Sequence, residues 1–89
     1  MRQSAEDVTA LNDRPHWSVA RGRAIFAPVA TGWRAVVRTL IEPTPTARFH
    51  IAVMDRTGTT RYAREAATLD DAVKGAERDV LARNALRLA

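Results

Sequence analysis

At Thr68 the hydrophobic period of this chain changes, and that change limits the fold more than any other feature. Upstream the pattern alternates, which is the signature of half-buried strands. Trp33, Ala35, Val37, Thr39 and Ile41 fall on one side of a strand, and Arg34, Val36, Arg38 and Leu40 on the other. Phe49, Ile51 and Val53 alternate with His50, Ala52 and Met54 in the same way. Downstream, Leu69, Ala72, Val73, Ala76 and Val80 return every three or four residues, one stripe of a helix. Thr68 can accept a hydrogen bond from the first turn, and Asp70 and Asp71 suit the positive end of the helix dipole. Asp70 with Lys74 and Asp79 with Arg83 are spaced to pair along its surface.

The connections fill in the topology. WSVARGRAIF, Trp17 to Phe26, reads as one strand bulged at Gly22, and Pro28 confines it to a sheet edge. EPTPTA makes a stiff link to the strand beginning near Arg48. Asp55-Arg56-Thr57-Gly58 fits a type I turn with Gly58 in the left-handed position. That turn sets Ala52 opposite Tyr62 and His50 opposite Arg64, so that Tyr62 and Arg64 share the outer face. A two-residue turn at Thr57-Gly58 would place Tyr62 beside Val53 in the core, because one residue of slip exchanges the faces. We take the first register. Ser4 to Asn12, with Asp7 three residues after Ser4, reads as a short helix ended by Pro15.

The expected fold is therefore α+β: an antiparallel four-stranded meander with one long C-terminal helix on one face, preceded by a short N-terminal helix. Residues 1–15 form the helix or a flexible arm, and residues 16–89 a single domain. The expected core is Trp33, Ala35, Val37, Ile41, Phe49, Ile51, Val53, Leu69, Val73, Ala76 and Val80. Beyond Val80 the same stripe meets Arg83 and Arg87, while Leu81, Ala85 and Leu88 form a second stripe turned away from it. Those last turns kink, overhang the sheet, or offer Leu81, Ala85 and Leu88 to another chain.

Of 41 hydrophobic residues 17 are alanine, so the core is thin for a chain with no cysteine to staple it. A homodimer or a permanent partner would relieve that shortage. No apolar run resembles a leader or a membrane span, so a cytoplasmic protein without membrane contact is expected.

Charge is unevenly spread along the chain. Residues 14–64 hold nine arginines against Glu42 and Asp55, a balance of +7, whereas the flanking segments are both slightly acidic. Thirteen of the fourteen basic residues are Arg, whose planar fork suits phosphate or carboxylate. In the favoured register Arg34, Arg38, Arg48, His50, Tyr62 and Arg64 gather on the face away from the helix, and Arg21 and Arg23 extend them. Arginines with an interleaved aromatic on an open sheet can track a phosphate backbone and stack a base.

Other chemistries lack their parts. His16 and Ser18 would share a strand face, but nothing supplies an orienting carboxylate or an oxyanion hole. His16, His50 and Asp13 have no recognised metal-ligand spacing. The Asp55–Gly58 turn leads to a strand and lacks the Gly and Lys of a phosphate loop. No enzyme, cofactor, metal or small-molecule substrate is expected.

The segment TLDDAVKGAERDVLARNAL resembles the helix entry of HicB-type antitoxin domains. It is also similar to the arm-type DNA-binding domains of phage integrases, which set three strands against one helix. Thr68, Asp70, Asp71 and Ala72 carry both likenesses. The α-β-β-β-α order of double-stranded RNA-binding domains is approached too, but Asp70 and Asp71 stand where those domains place lysines. The expectation is a non-catalytic module whose Arg-rich sheet face engages nucleic acid. The alternative is a protein-binding regulator (antitoxin, adaptor or phage-encoded inhibitor) anchored by Leu81, Ala85 and Leu88, with Val36, Met54 and Tyr62 as exposed apolar members.

Overall fold

The computed structural model describes residues 8–88, with side chains through residue 85. A 3-10 helix, Val8–Asp13, precedes five strands and one helix: β1 (Trp17–Ala20), β2 (Arg23–Phe26), β3 (Arg34–Thr44), β4 (Ala47–Met54), β5 (Thr60–Ala66) and α1 (Leu69–Leu88). The strands form one antiparallel sheet in chain order, β1-β2-β3-β4-β5. The α+β class and the C-terminal helix are as expected; the strand count and the N-terminal piece are not. The expected cap at Ser4 and Asp7 lies outside the described residues, and the described part of that helix is 3-10.

The fifth strand comes from a hairpin hidden inside WSVARGRAIF. Arg21 and Gly22 both have positive φ, 55° and 78°, and Ala20 pairs with Arg23. Two consecutive left-handed residues are what a type I′ turn requires, and its twist matches that of the strands it joins. Gly22 therefore reverses the chain instead of bulging it. The usual marker of such a turn is Asn-Gly or Asp-Gly, and Arg-Gly does not carry it.

A second correction concerns register. The expected turn does form: the Gly58 N–H donates to the Asp55 carbonyl at 3.0 Å, the Asp55 N–H donates to the Thr59 carbonyl at 3.0 Å, and Gly58 has φ +88°. Met54 then pairs with Thr60, but Val53 pairs with Tyr62. Arg61 is the extra residue of a bulge, and that one-residue slip turns Tyr62 and Arg64 to the helix side.

The core lies between the sheet and its covers. Leu69, Ala72, Val73, Ala76 and Val80 of α1 are buried with Ala35, Val37, Phe49, Ile51 and Val53. The small Ala72 and Ala76, both fully buried, let the helix approach the strands closely. The N-terminal half of the core departs from the expected one. Val8 and Leu11 of the 3-10 helix are buried with Trp17, Ala24 and Phe26, and they cover the sheet where α1 does not reach. Trp33, expected in the core, is half-buried beside it. Ile41, also expected there, is 90% exposed. Between the pairs Thr39–Phe49 and Thr44–Ala47 the ladder is irregular, and residues 40–43 face only Arg48 across it. That bulge carries Ile41 beyond the reach of the helix.

The helix starts as its sequence indicates, with the Asp71 N–H donating to Thr68 Oγ1 at 3.1 Å and Lys74 pairing with Asp70 at 3.0 Å. The expected Asp79–Arg83 pair does not form: Asp79 receives Arg64 and Arg78 instead. Arg83 lies over the rings of Trp33 and Tyr62, 5.4 and 5.6 Å from their centroids. The apolar stripe that ends at Val80 is thus continued by a cation on aromatic faces, and Asn84 adds an acceptor for the Trp33 N–H at 2.8 Å. Glu77 ties down the N-terminal segment, accepting from Trp17 Nε1 at 2.7 Å and from Arg14 at 3.1 Å. Among the described residues no helix is long and apolar enough to cross a membrane.

Candidate nucleic-acid interface

Cross-strand register defines the face that α1 does not cover. One row runs Ala20–Arg23–Arg38–His50–Glu65 across all five strands, from the pairs Ala20–Arg23, Arg23–Arg38, Arg38–His50 and His50–Glu65. Beside it runs Ser18–Ile25–Val36–Ala52–Ala63. Arg34 pairs with Met54 in the row beyond. Arg48 lies two residues from His50 along β4, on the same face by strand alternation. The face is therefore a short apolar row flanked by arginines, with Glu65 as the acidic residue at the end of the basic row.

Arg34, Arg38, Arg48 and His50 stand where strand alternation placed them. Tyr62 and Arg64 do not: the bulge at Arg61 puts them on the helix face, Tyr62 half-buried against the core and Arg64 bonded to Asp79 and to the Gly75 carbonyl. Arg23, expected to extend this face, lies within its row beside Arg38, a place that depends on the concealed β1–β2 hairpin. Arg21 sits in that hairpin's turn, at the margin of the face.

The electrostatics of the two sides differ. On the helix side Arg14 meets Glu77, Arg61 meets Asp55 at 3.2 Å, and Arg64 meets Asp79. On the open face, Arg23, Arg34 and Arg38 make no ion pair among the described residues. The Nε atoms of Arg34 on this face and of Arg64 on the other are both buried without a hydrogen-bond partner among them. Like charges directly opposite on neighbouring strands destabilise a sheet, so the Arg23–Arg38 pair works against folding. An anion laid along this row would remove that repulsion and supply acceptors for the guanidinium groups.

The remaining sequence candidates are dispersed. His16 is not on a strand; it occupies the third position of a turn closed by the Trp17 N–H and the Arg14 carbonyl at 3.1 Å, with φ 69°. It does not share a strand face with Ser18, which lies opposite Ile25. Among the described residues no group of three His, Asp or Glu side chains is disposed to hold a metal. Leu81 is 51% exposed on the outer side of α1 and Ala85 is exposed one turn on, while the Leu88 side chain lies outside the described ones. Asp55 is held well below its ordinary 3.8, to about 2, chiefly by the Thr57 hydroxyl and also by Arg61 and the Thr57 and Thr59 N–H groups. Those bonds build the turn, so the loop is accounted for without a ligand.

Comparison with protein-family models, with curated proteins and with solved structures returns no match.

Proposed function

We propose that this chain is a small, non-catalytic binding module that holds the phosphate backbone of a nucleic acid on the open face of its sheet. Arg23, Arg34, Arg38 and Arg48 would contact phosphates, with His50 beside them. The observation that carries the reading is the Arg23–Arg38–His50 row, in which Arg23 and Arg38 face each other across two strands and neither meets a carboxylate among the described residues. The fold does not need it. With Tyr62 on the other side the face offers no Phe, Tyr or Trp ring among the described residues, so base stacking drops out of the proposal. Contacts to phosphate alone position a nucleic acid without reading its sequence. Binding should therefore be nonspecific and strongly salt-dependent.

A second reading, a protein-binding regulator, is supported by Leu81 at 51% exposure with Ala85 next to it on the helix surface. One experiment separates the two. Fluorescence anisotropy with labelled mixed-sequence duplex DNA and single-stranded RNA, in low salt, should show binding by the wild type. Arg38→Glu should weaken it at least tenfold, and Leu81→Asp should leave it unchanged. Absence of binding to both probes would remove the nucleic-acid reading and leave the protein-partner one.

A further inference from the structure

We infer that the chain pairs with a second copy of itself through the outer edge of β5, joining two five-stranded sheets into one continuous sheet. The two edges of this sheet are treated differently. β1 is four residues long and follows Pro15 and the left-handed His16, a short edge that offers little to a passing strand. β5 is seven residues long and contains neither proline nor lysine. It stands last in the sheet, and among the described residues no strand pairs with its outer side. The bulge at Arg61 guards only the end next to the turn.

The main chain there is unspent. Hydrogen-bonded and non-bonded pairs alternate along an antiparallel ladder. Counting from the bonded pair Asp55–Thr59, the pair Ala52–Ala63 falls on a non-bonded position. The N–H and C=O of Ala63 therefore point away from β4, towards solvent.

The sequence TRYAREA also selects its own partner. Two antiparallel copies related by a two-fold axis must meet at one residue. Centred on Arg64, or on Glu65, the pairing sets like charges directly opposite, which is unfavourable. Centred on Ala63, it sets Ala63 against Ala63 and Tyr62 against Arg64 of the second copy. The first is the smallest contact available, and the second brings a cation to a ring on one face. A two-fold interface of this kind is self-complementary and closed. It leaves both helices on one side and both arginine rows on the other, so the open face is doubled; the pairing itself requires no nucleic acid.

The chain has no cysteine, which makes the test direct. Sedimentation equilibrium of the full chain without nucleic acid should return twice its 9.8 kDa mass at micromolar concentration. Residues opposite each other in a bonded antiparallel pair stand about 5.5 Å apart at Cα, within the span of a disulfide. Ala63→Cys should oxidise almost completely to a covalent dimer, while Ser18→Cys on the β1 edge should remain monomeric under the same oxidant. Ala63→Pro removes only an outward N–H, so it should keep the wild-type circular dichroism and weaken dimerisation at least tenfold. A monomeric wild type overturns the inference whatever the cysteine variants do. A wild-type dimer whose Ala63→Cys form cross-links no better than Ser18→Cys overturns it as well, by placing the contact elsewhere.

Discussion

Arg64 and Arg38 lie two strands apart on opposite faces of one sheet, and their surroundings differ. Arg64 faces α1, bonded to Asp79 and to the Gly75 carbonyl. Arg38 faces away from the helix, set between Arg23 and His50, and meets no carboxylate among the described residues. The same division holds for their neighbours: Arg14, Arg61 and Arg83 each have an acidic or aromatic partner inside the fold. A guanidinium with an internal partner is explained by stability. Arg23 and Arg38, set opposite one another without such a partner among the described residues, are not, and this difference directs the functional reading to the open face.

The covered side carries the largest expected effect. Phe49 is 1% exposed beneath the helix, and Phe49→Ala should cost about 3–5 kcal/mol in urea unfolding. A cost below about 1 kcal/mol would mean that the helix does not seal this face. Glu77→Ala should cost about 1.5–3 kcal/mol, because it strands the Trp17 indole N–H and frees Arg14. The same variant should increase amide exchange across the 3-10 helix and β1, and unchanged exchange there would show that the N-terminal cover is held by packing alone.

A smaller effect belongs to the turn. The Asp55 carboxyl is depressed in the folded state from 3.8 to about 2, so its ionised form stabilises the fold above the unfolded value. That contribution is complete above pH 3.8 and disappears as pH falls through about 2. Asp55→Ala should therefore be less stable than the wild type at neutral pH, with the gap closing in that acid window. A gap independent of pH would assign the turn's stability to backbone geometry. Smallest of all, Arg38→Ala should change stability by no more than about 0.5 kcal/mol, and in the stabilising direction, since it relieves Arg23. A clear fall in stability would mean that Arg38 has a partner within the fold.

How much of this was legible in the sequence depended on the range of the interaction involved. The helix start, the Asp55–Gly58 turn and the alternation of β3 and β4 are local, and each is encoded by the residues that form it. Both departures in the strands come from single residues whose backbone changes the pairing further along. Arg21 accepts a left-handed backbone that its side chain does not advertise, and so one strand became two. Arg61 bulges after the expected turn, and so Tyr62 and Arg64 lie on the helix face. Of the expected basic residues, Arg34, Arg38, Arg48 and His50 share the open face, and Arg23, expected to extend it, takes its place beside Arg38 through the concealed hairpin. Ile41 shows the same limit: its alternation is sound, but the bulge opposite Arg48 takes it out of the helix's shadow.

If the arginines of the open face hold phosphates, salt dependence reports it most directly. The affinity for a mixed-sequence DNA duplex should be measured from low to near-physiological salt for the wild type, Arg38→Ala and the double variant Arg23→Ala with Arg38→Ala. Each phosphate that is no longer neutralised should flatten the slope of log K against log salt by roughly 0.9, so the three slopes should step down in order. Three equal slopes, with Arg23 and Arg38 absent or present alike, would contradict a phosphate-holding face.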